Sequence, residues 1–192
     1  MVALRLSVKK TSLINDSSTR RYLIALMCLL LIQLVYGGFM AGLKAAQSAP
    51  TWPAINGQWI PKLCKQNLQV PFIHLNIPYY SVYSNDQNLQ VQFIHRGLGY
   101  LIFILNVVLL FKTRHLSQHL LYGKLRLTLA GLIKIQVILG ILSLIFATAK
   151  NSFVVFGVLH QCNAMLVLLT LVWMIFIVRK STGAESSAVP MG

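Results

Sequence analysis

Four apolar runs, each long enough to cross a bilayer, lie within 192 residues. About 30 Å of hydrocarbon needs about 20 residues of helix at a rise of ~1.5 Å per residue. The runs at residues 22–43, 89–111, 125–148 and 153–178 all meet that length. Lipid offers the backbone no hydrogen bonds, so a lone apolar span must satisfy its own as a helix. The link between the third and fourth runs, around residues 149–152, is very short, and the basic link at 112–124 is short as well. Short links make neighbouring helices antiparallel. The chain therefore reads as an all-α membrane protein, a four-transmembrane-helix up-down-up-down bundle. Its composition, 56% hydrophobic and 10% charged, is outside the range of a soluble domain.

The net charge of +14 would suggest nucleic acid in a soluble chain. Here the positive residues flank the spans, so they read as topology signals, with lipid as partner and no nucleic acid. Arg5, Lys9, Lys10, Arg20 and Arg21 precede the first span, Lys112, Arg114, Lys124 and Arg126 lie between the second and third, and Arg179 and Lys180 follow the fourth. The opposite side holds only Lys44, Lys62, Lys65 and Lys150. The positive-inside rule puts both termini on the cytoplasmic side or its equivalent. The first run is longer than a signal-peptide core and follows a polar segment, so it reads as a retained span.

Residues 1–21 read as a basic cytoplasmic arm, 22–180 as one transmembrane domain and 181–192 as a disordered tail. The outer loop, 45–88, holds Trp52, Trp59, Phe72, Tyr79, Tyr80 and Tyr83 with five prolines. Aromatic residues at this density suit the membrane interface, and the prolines exclude one long helix. Its apolar stretch 68–82 reads as a segment lying on the bilayer or over the bundle. Cys28 and Cys162 read as small packing residues. Cys64, in the outer loop, is either free or paired with another chain. Gly38 and Gly42 form a GxxxG pair that lets another helix approach closely.

Two histidines enter the membrane from the same side, His95 in the second span and His160 in the fourth. Their depths, about 9 and 11 Å along the helix axes, agree within the uncertainty of the boundaries. In an up-down bundle these spans are diagonal partners. An imidazole in lipid is costly and needs a partner. Two at one depth suit the axial ligation of one haem iron. The alternative is that each histidine hydrogen-bonds a neighbouring helix. A metal without a porphyrin fits less well, because no carboxylate or thiolate completes a site. Arg96 follows His95, yet Asp16, Asp86 and Glu185 all lie outside the spans. A haem propionate would supply the missing counter-charge. Gly97 and Gly99 leave room for a ring to approach. His115 and His119 read as loop residues, His74 is ambiguous, Lys134 reads as snorkelling, and Gln136 and Asn106 as interhelical hydrogen-bonding residues. No catalytic acid or base emerges.

The stretches VYGGFMAGLKAA (35–46), TWPAINGQWIP (51–61), VQFIHRGLGY (91–100) and GVLHQCNAMLVLL (157–169) together resemble the haem A synthase family, in order and over roughly residues 20–180. Members of that family usually have eight spans in two four-helix halves, and this chain resembles the C-terminal half. The resemblance implies an oxidoreductase of haem A biosynthesis for cytochrome oxidase assembly, which oxidises the haem O methyl group to the formyl group of haem A. It implies haem b held by His95 and His160, a place in the bacterial inner (plasma) membrane or the mitochondrial inner membrane, and a homodimer or a partner four-helix half. The N-terminal half of the family carries a glutamate three residues before its first ligand histidine; the matching position here is Gln92. Beside the enzyme stand two alternatives: a non-catalytic haem b electron-transfer subunit or divergent remnant, and a haem-free membrane scaffold.

Overall fold

The computed structural model describes residues 13–57, 63–67, 78–82 and 87–179. Its four helices are α1 (Ser17–Gly42), α2 (Gln87–Lys112), α3 (Leu120–Ile145) and α4 (Lys150–Ile177). Each is long and apolar enough to cross a membrane. Around the bundle α1 packs on α2, α2 on α3, α3 on α4 and α4 back on α1. That ring leaves α2 and α4 as diagonal partners, the arrangement that short antiparallel links require.

Helix boundaries follow caps rather than the edges of the apolar runs. Asp16 accepts from the Thr19 backbone N–H at 2.9 Å and from the Thr19 hydroxyl at 2.7 Å. This cap satisfies donors that a helix start leaves open. Helix α1 therefore begins at Ser17, five residues before the apolar run. Helix α3 also starts early, at Leu120, and takes in Lys124 and Arg126; the inner link shrinks to a 3₁₀ turn at Arg114–Gln118.

Short strands finish both ends. β1 (Ile14–Asn15) pairs in parallel with β4 (Val178–Arg179), Ile14 opposite Val178, so the residues before α1 and after α4 meet at one end of the bundle. At the other end β2 (Leu63–Asn67) pairs antiparallel with β3 (Pro78–Val82). The last part of the apolar stretch 68–82 is thus a strand, and residues 68–77 of it lie outside the described residues. Several expectations lie outside the described residues: the basic arm up to residue 12, outer-loop residues 58–62, 68–77 and 83–86 with His74, the tail from 180, and the side chain of Cys64.

The largest apolar core cluster occupies one half of the bundle, and two smaller ones, around Ala49, Ile55 and Leu89 and around Ala46, Leu144 and Ala147, lie at the other end. Leu23, Leu26 and Leu30 of α1 meet Leu109 of α2, Leu129 of α3, and Leu171, Met174 and Ile177 of α4. All lie toward the end that holds β1 and β4. Between membrane helices water exclusion drives little, so this half is held by close van der Waals packing. Large apolar side chains such as Val35, Ile104, Phe111, Leu127 and Leu169 stay exposed on the outside. On a soluble protein such a surface would aggregate; around a membrane bundle it faces lipid.

Candidate functional site

The half of the bundle away from the core holds the two histidines. The His95 and His160 rings face each other with centroids 6.4 Å apart and planes inclined by 64°. A metal–imidazole bond of about 2 Å, with about 1 Å from nitrogen to ring centre, puts two rings that address one ion from opposite sides about 6 Å apart. The observed separation fits that geometry. Among the described residues no three His, Cys, Asp or Glu side chains converge. An ion between the rings would find two such protein ligands among the described residues, a set that suits a macrocycle supplying the others.

Each histidine is served by the helix that precedes it in sequence. Gln136 on α3 places its Nε2 at 3.1 Å from His160 Nε2, and its backbone oxygen lies 3.1 Å from His160 Nδ1. Gln33 on α1 donates to the His95 backbone oxygen at 3.0 Å, and the same nitrogen lies 3.4 Å from His95 Nε2. Two glycines make room for the rings. A Cβ on Gly37 would stand 3.5 Å from His95 Cε1, and one on Gly140 would stand 3.0 Å from His160 Cε1. Gln33, Gly37 and Gly140 escape a reading that looks only for ligand residue types. Their available signal is a Gln-Xaa3-Gly spacing that occurs once before each histidine.

The chain leaving α1 folds over the start of α2. A 3₁₀ turn at Ala45–Ser48 leads into a tighter turn in which Thr51 Oγ1 donates to the Ala54 oxygen and accepts from the Asn56 N–H. This path presents three carbonyls to α2. The Gln92 amide donates to the oxygens of Ala45 and Ala49 at 3.3 and 3.2 Å. One turn later the Arg96 guanidinium donates to the oxygens of Ala49 and Thr51 at 3.2 and 2.8 Å. Gln92 is fully buried and anchors the loop. Arg96 finds part of its hydrogen bonding in backbone carbonyls, a partner that a search for acidic residues misses.

Hydrogen bonding around this corner is incomplete. Eight buried side-chain N and O atoms among the described residues lack a protein partner, and five belong to Gln33, Gln92, His95 and Arg96. Native chains leave few such atoms, and a cluster of them marks a place where a polar group from outside the chain belongs. Arg96 Nε and Nη1 are donors suited to a carboxylate. The donor set here, two imidazoles and an open guanidinium edge, fits a haem with its propionates.

Other sequence-selected residues lie apart. His115 sits on the inner turn, its Nε2 3.8 Å from Asp16 Oδ2, and His119 precedes α3. Lys134 is exposed on the outside of α3, and Cys28 and Cys162 are exposed too. Gln136 bonds between helices as expected, whereas the Asn106 Oδ1 is buried without a protein partner. Gly38 and Gly42 do not serve as a close-packing pair in this chain, since a Cβ on either would meet nothing within 4 Å. The close approach occurs at Gly37. Gly97 is open in the same way, and Gly99 lies against Gln33 Nε2.

Comparison with known proteins agrees with this arrangement of spans. The family described as cytochrome oxidase assembly protein matches residues 1–172. A heme A synthase of Beijerinckia indica is 34% identical over 139 residues, covering 72% of this chain and 35% of that protein. A heme A synthase of Methylobacterium nodulans is 33% identical over 146 residues, covering 76% and 37%. A heme A synthase of Bartonella tribocorum is 33% identical over 154 residues, covering 74% and 36%. The chain thus spans about a third of the length of the curated relatives it matches. No solved structure matches it. With residues 1–172 matched and four membrane-spanning helices in place, this integral membrane protein belongs to the cytochrome oxidase assembly protein family.

Proposed function

We propose that the chain is the bis-histidine haem b half of a haem A synthase-like membrane oxidoreductase, with His95 and His160 as axial ligands and Arg96 as a propionate partner. The carrying observation is the pair of imidazoles facing across the bundle at a centroid separation of 6.4 Å. Relatives that bear the name heme A synthase support the biosynthetic role, the oxidation of the haem O methyl group to formyl. A bound six-coordinate haem supplies one-electron redox chemistry. The chain's own residues would hold and orient it: the histidines from diagonal helices, the Gln136 backbone oxygen steadying the His160 ring through Nδ1, and Arg96 drawing a carboxylate to the outer end of α2.

The chain spans about a third of its relatives' length, so the substrate site belongs to a second copy or to a partner four-helix half. The excess of Lys and Arg at the end with both termini supports a cytoplasmic or matrix orientation in a bacterial plasma or mitochondrial inner membrane.

A second function, electron transfer by haem b without catalysis of its own, is favoured by one observation. Gln92, at the position where the resemblance expects the other half to carry a glutamate, is buried and holds the loop carbonyls. Purification from haem-replete membranes tests the cofactor: a low-spin, six-coordinate b-type spectrum is expected, and a colourless chain refutes both haem functions in favour of a scaffold. Pigment analysis with a haem O supply separates the two. Haem A from this chain alone establishes the enzyme, and haem A only with a partner chain establishes the electron-carrying half.

A further inference from the structure

Lys134 places a cation near the middle of the membrane on an exposed face of the bundle. Helix α3 runs from Leu120 to Ile145, so about 21 Å of helix precedes Lys134 and about 17 Å follows it. The next cation toward the β1–β4 end of this helix is Arg126, eight residues or about 12 Å away. Side chains on a helix lean toward its N-terminus, and snorkelling carries a lysine ammonium about 6 Å in that direction. From near the middle of ~30 Å of hydrocarbon, that reach stops several ångströms short of the headgroups. Snorkelling alone does not bring this charge to water.

Ionisable residues at such depth face a bundle interior or a water-filled cavity and pair there. Lys134 faces outward, and among the described residues its Nζ has no hydrogen-bond or ion-pair partner. It stands two residues from Gln136, about 200° around α3 from the side chain that meets His160. The lysine therefore belongs to the outer face and not to the histidine site. Its neighbours on that face follow helical spacing. Leu127 and Ile138 are 63% and 56% exposed, and a Cβ on Gly131 would meet nothing within 4 Å. Steps of four, three and four residues join Leu127, Gly131, Lys134 and Ile138, the spacing of a seam against a second helix. Gly131, one turn from the lysine, lets that helix come close.

Charge complementarity selects what the second helix carries. A carboxylate at the same depth pairs with the ammonium where neither water nor headgroups can. A second copy of this chain has none to offer, because its acidic residues are Asp16, Asp86 and Glu185, all outside the spans. We propose that the face formed by Leu127, Gly131, Lys134 and Ile138 is the docking surface for a transmembrane helix of a different chain, one that carries an aspartate or glutamate opposite Lys134. Of the two sources of further spans named above, a second copy and a partner chain, this face takes the partner chain. The docking surface stands on α3 alone and does not rest on the haem function.

Photo-crosslinking of the full chain in its native membrane tests the surface. With Ile138→benzoylphenylalanine, the expected adduct is to another membrane protein, on a span that carries Asp or Glu within one helical turn of the depth of Lys134. That reading is made with Lys134 in place and needs no variant of it. Adding Lys134→Leu should lower the adduct about thirtyfold, since it leaves the partner's carboxylate buried and unpaired, and Lys134→Arg should keep it. Lys134→Glu, combined with lysine in place of the partner's acidic residue, should restore it. The purified Lys134→Leu chain should keep its helix content and thermal stability, which separates a lost contact from a lost fold. An adduct between two copies of this chain, a partner span without a carboxylate, lipid or haem adducts alone, or an undiminished adduct in Lys134→Leu each overturns the proposal. All of these outcomes are read whether or not the chain takes up haem.

Discussion

Replacing Gly140 by alanine should injure the site, and replacing Gly37 should not. At position 140 the added Cβ would stand 3.0 Å from His160 Cε1 and 3.5 Å from Nδ1. Carbon atoms settle at about 3.5–4.0 Å, so the ring must retreat by about half an ångström. It has little freedom to do so, because its two nitrogens are held at 3.1 Å by the Gln136 backbone oxygen and side-chain amide. Overpacking of this kind costs about 1–3 kcal/mol, against up to about 1 kcal/mol that alanine gains over glycine in a helix. A net loss of about 1 kcal/mol corresponds to roughly five-fold in ligand affinity. At position 37 the Cβ would stand 3.5 Å from His95 Cε1, an ordinary contact, so alanine keeps its helical advantage. The assay compares haem-to-protein ratio, the low-spin band and the temperature of haem loss in the two variants and the unsubstituted chain. Gly140→Ala should bind several-fold more weakly and lose haem at lower temperature, with Gly37→Ala equal to or above the unsubstituted chain. The two variants behaving alike, or in the opposite order, would refute the placement of the His160 ring against α3.

Arg96→Leu removes the hydrogen bonds to the Ala49 and Thr51 oxygens and the buried Nε and Nη1 donors that have no protein partner; each lost charge-assisted bond is worth about 1.5–3 kcal/mol, so haem retention should fall by an order of magnitude, and Arg96→Lys should not restore it because lysine lacks the planar fork. Gln92→Leu should lower thermal stability by about 1–3 kcal/mol, since it takes the side-chain donor from the oxygens of the buried residues Ala45 and Ala49, while the haem spectrum stays unchanged. Burial alone would raise the Asp16 carboxyl, but the backbone and hydroxyl donors of Thr19, the Ser18 N–H and nearby His115 outweigh it and hold the group below the ordinary carboxylate range. A lowered folded value means stability that is complete above the unfolded pKa and is lost as pH falls through the folded one. Thermal melts between neutral and strongly acid pH should therefore show Asp16→Asn losing this acid-side dependence, and Asp16→Ala costing about 1 kcal/mol at neutral pH through the missing cap.

The four helices were legible because lipid leaves a long apolar run no other choice. Their starts were less so. Asp16 and the polar residues after it read as a mobile arm until the cap is seen, since hydropathy registers the run and not the hydrogen bond that begins the helix. The histidines stood out because a polar ring in the membrane is costly. Their supports did not, because a membrane glutamine such as Gln33 reads as generic packing and Gly140 as one glycine among many. The misplaced glycine pair shows how narrow the margin is: Gly38 lies one residue, or about 100° of helix rotation, from Gly37, and only Gly37 faces a ring. Arg96 was flagged for lacking an acidic partner, yet its protein partners are carbonyls of a turn whose path the sequence does not spell out.

The division of the bundle into a packed half and a polar half has a physical reason. A helix pair in lipid gains from close packing, which leucine-rich faces near the termini provide without polar atoms. Such a seam holds the helices at one end, and the other end needs only the smaller clusters at its rim. The outer half can then keep two imidazoles 6.4 Å apart, with glycines where side chains would fill the gap and donors left without partners. Filled with leucine, the same space would hold a stable bundle without a site. Because the helices are already joined at the packed end and by the short links, the outer half does not have to hold the fold together. It can be shaped around a ligand instead, with protein partners at both ring nitrogens of His160 and at one of His95.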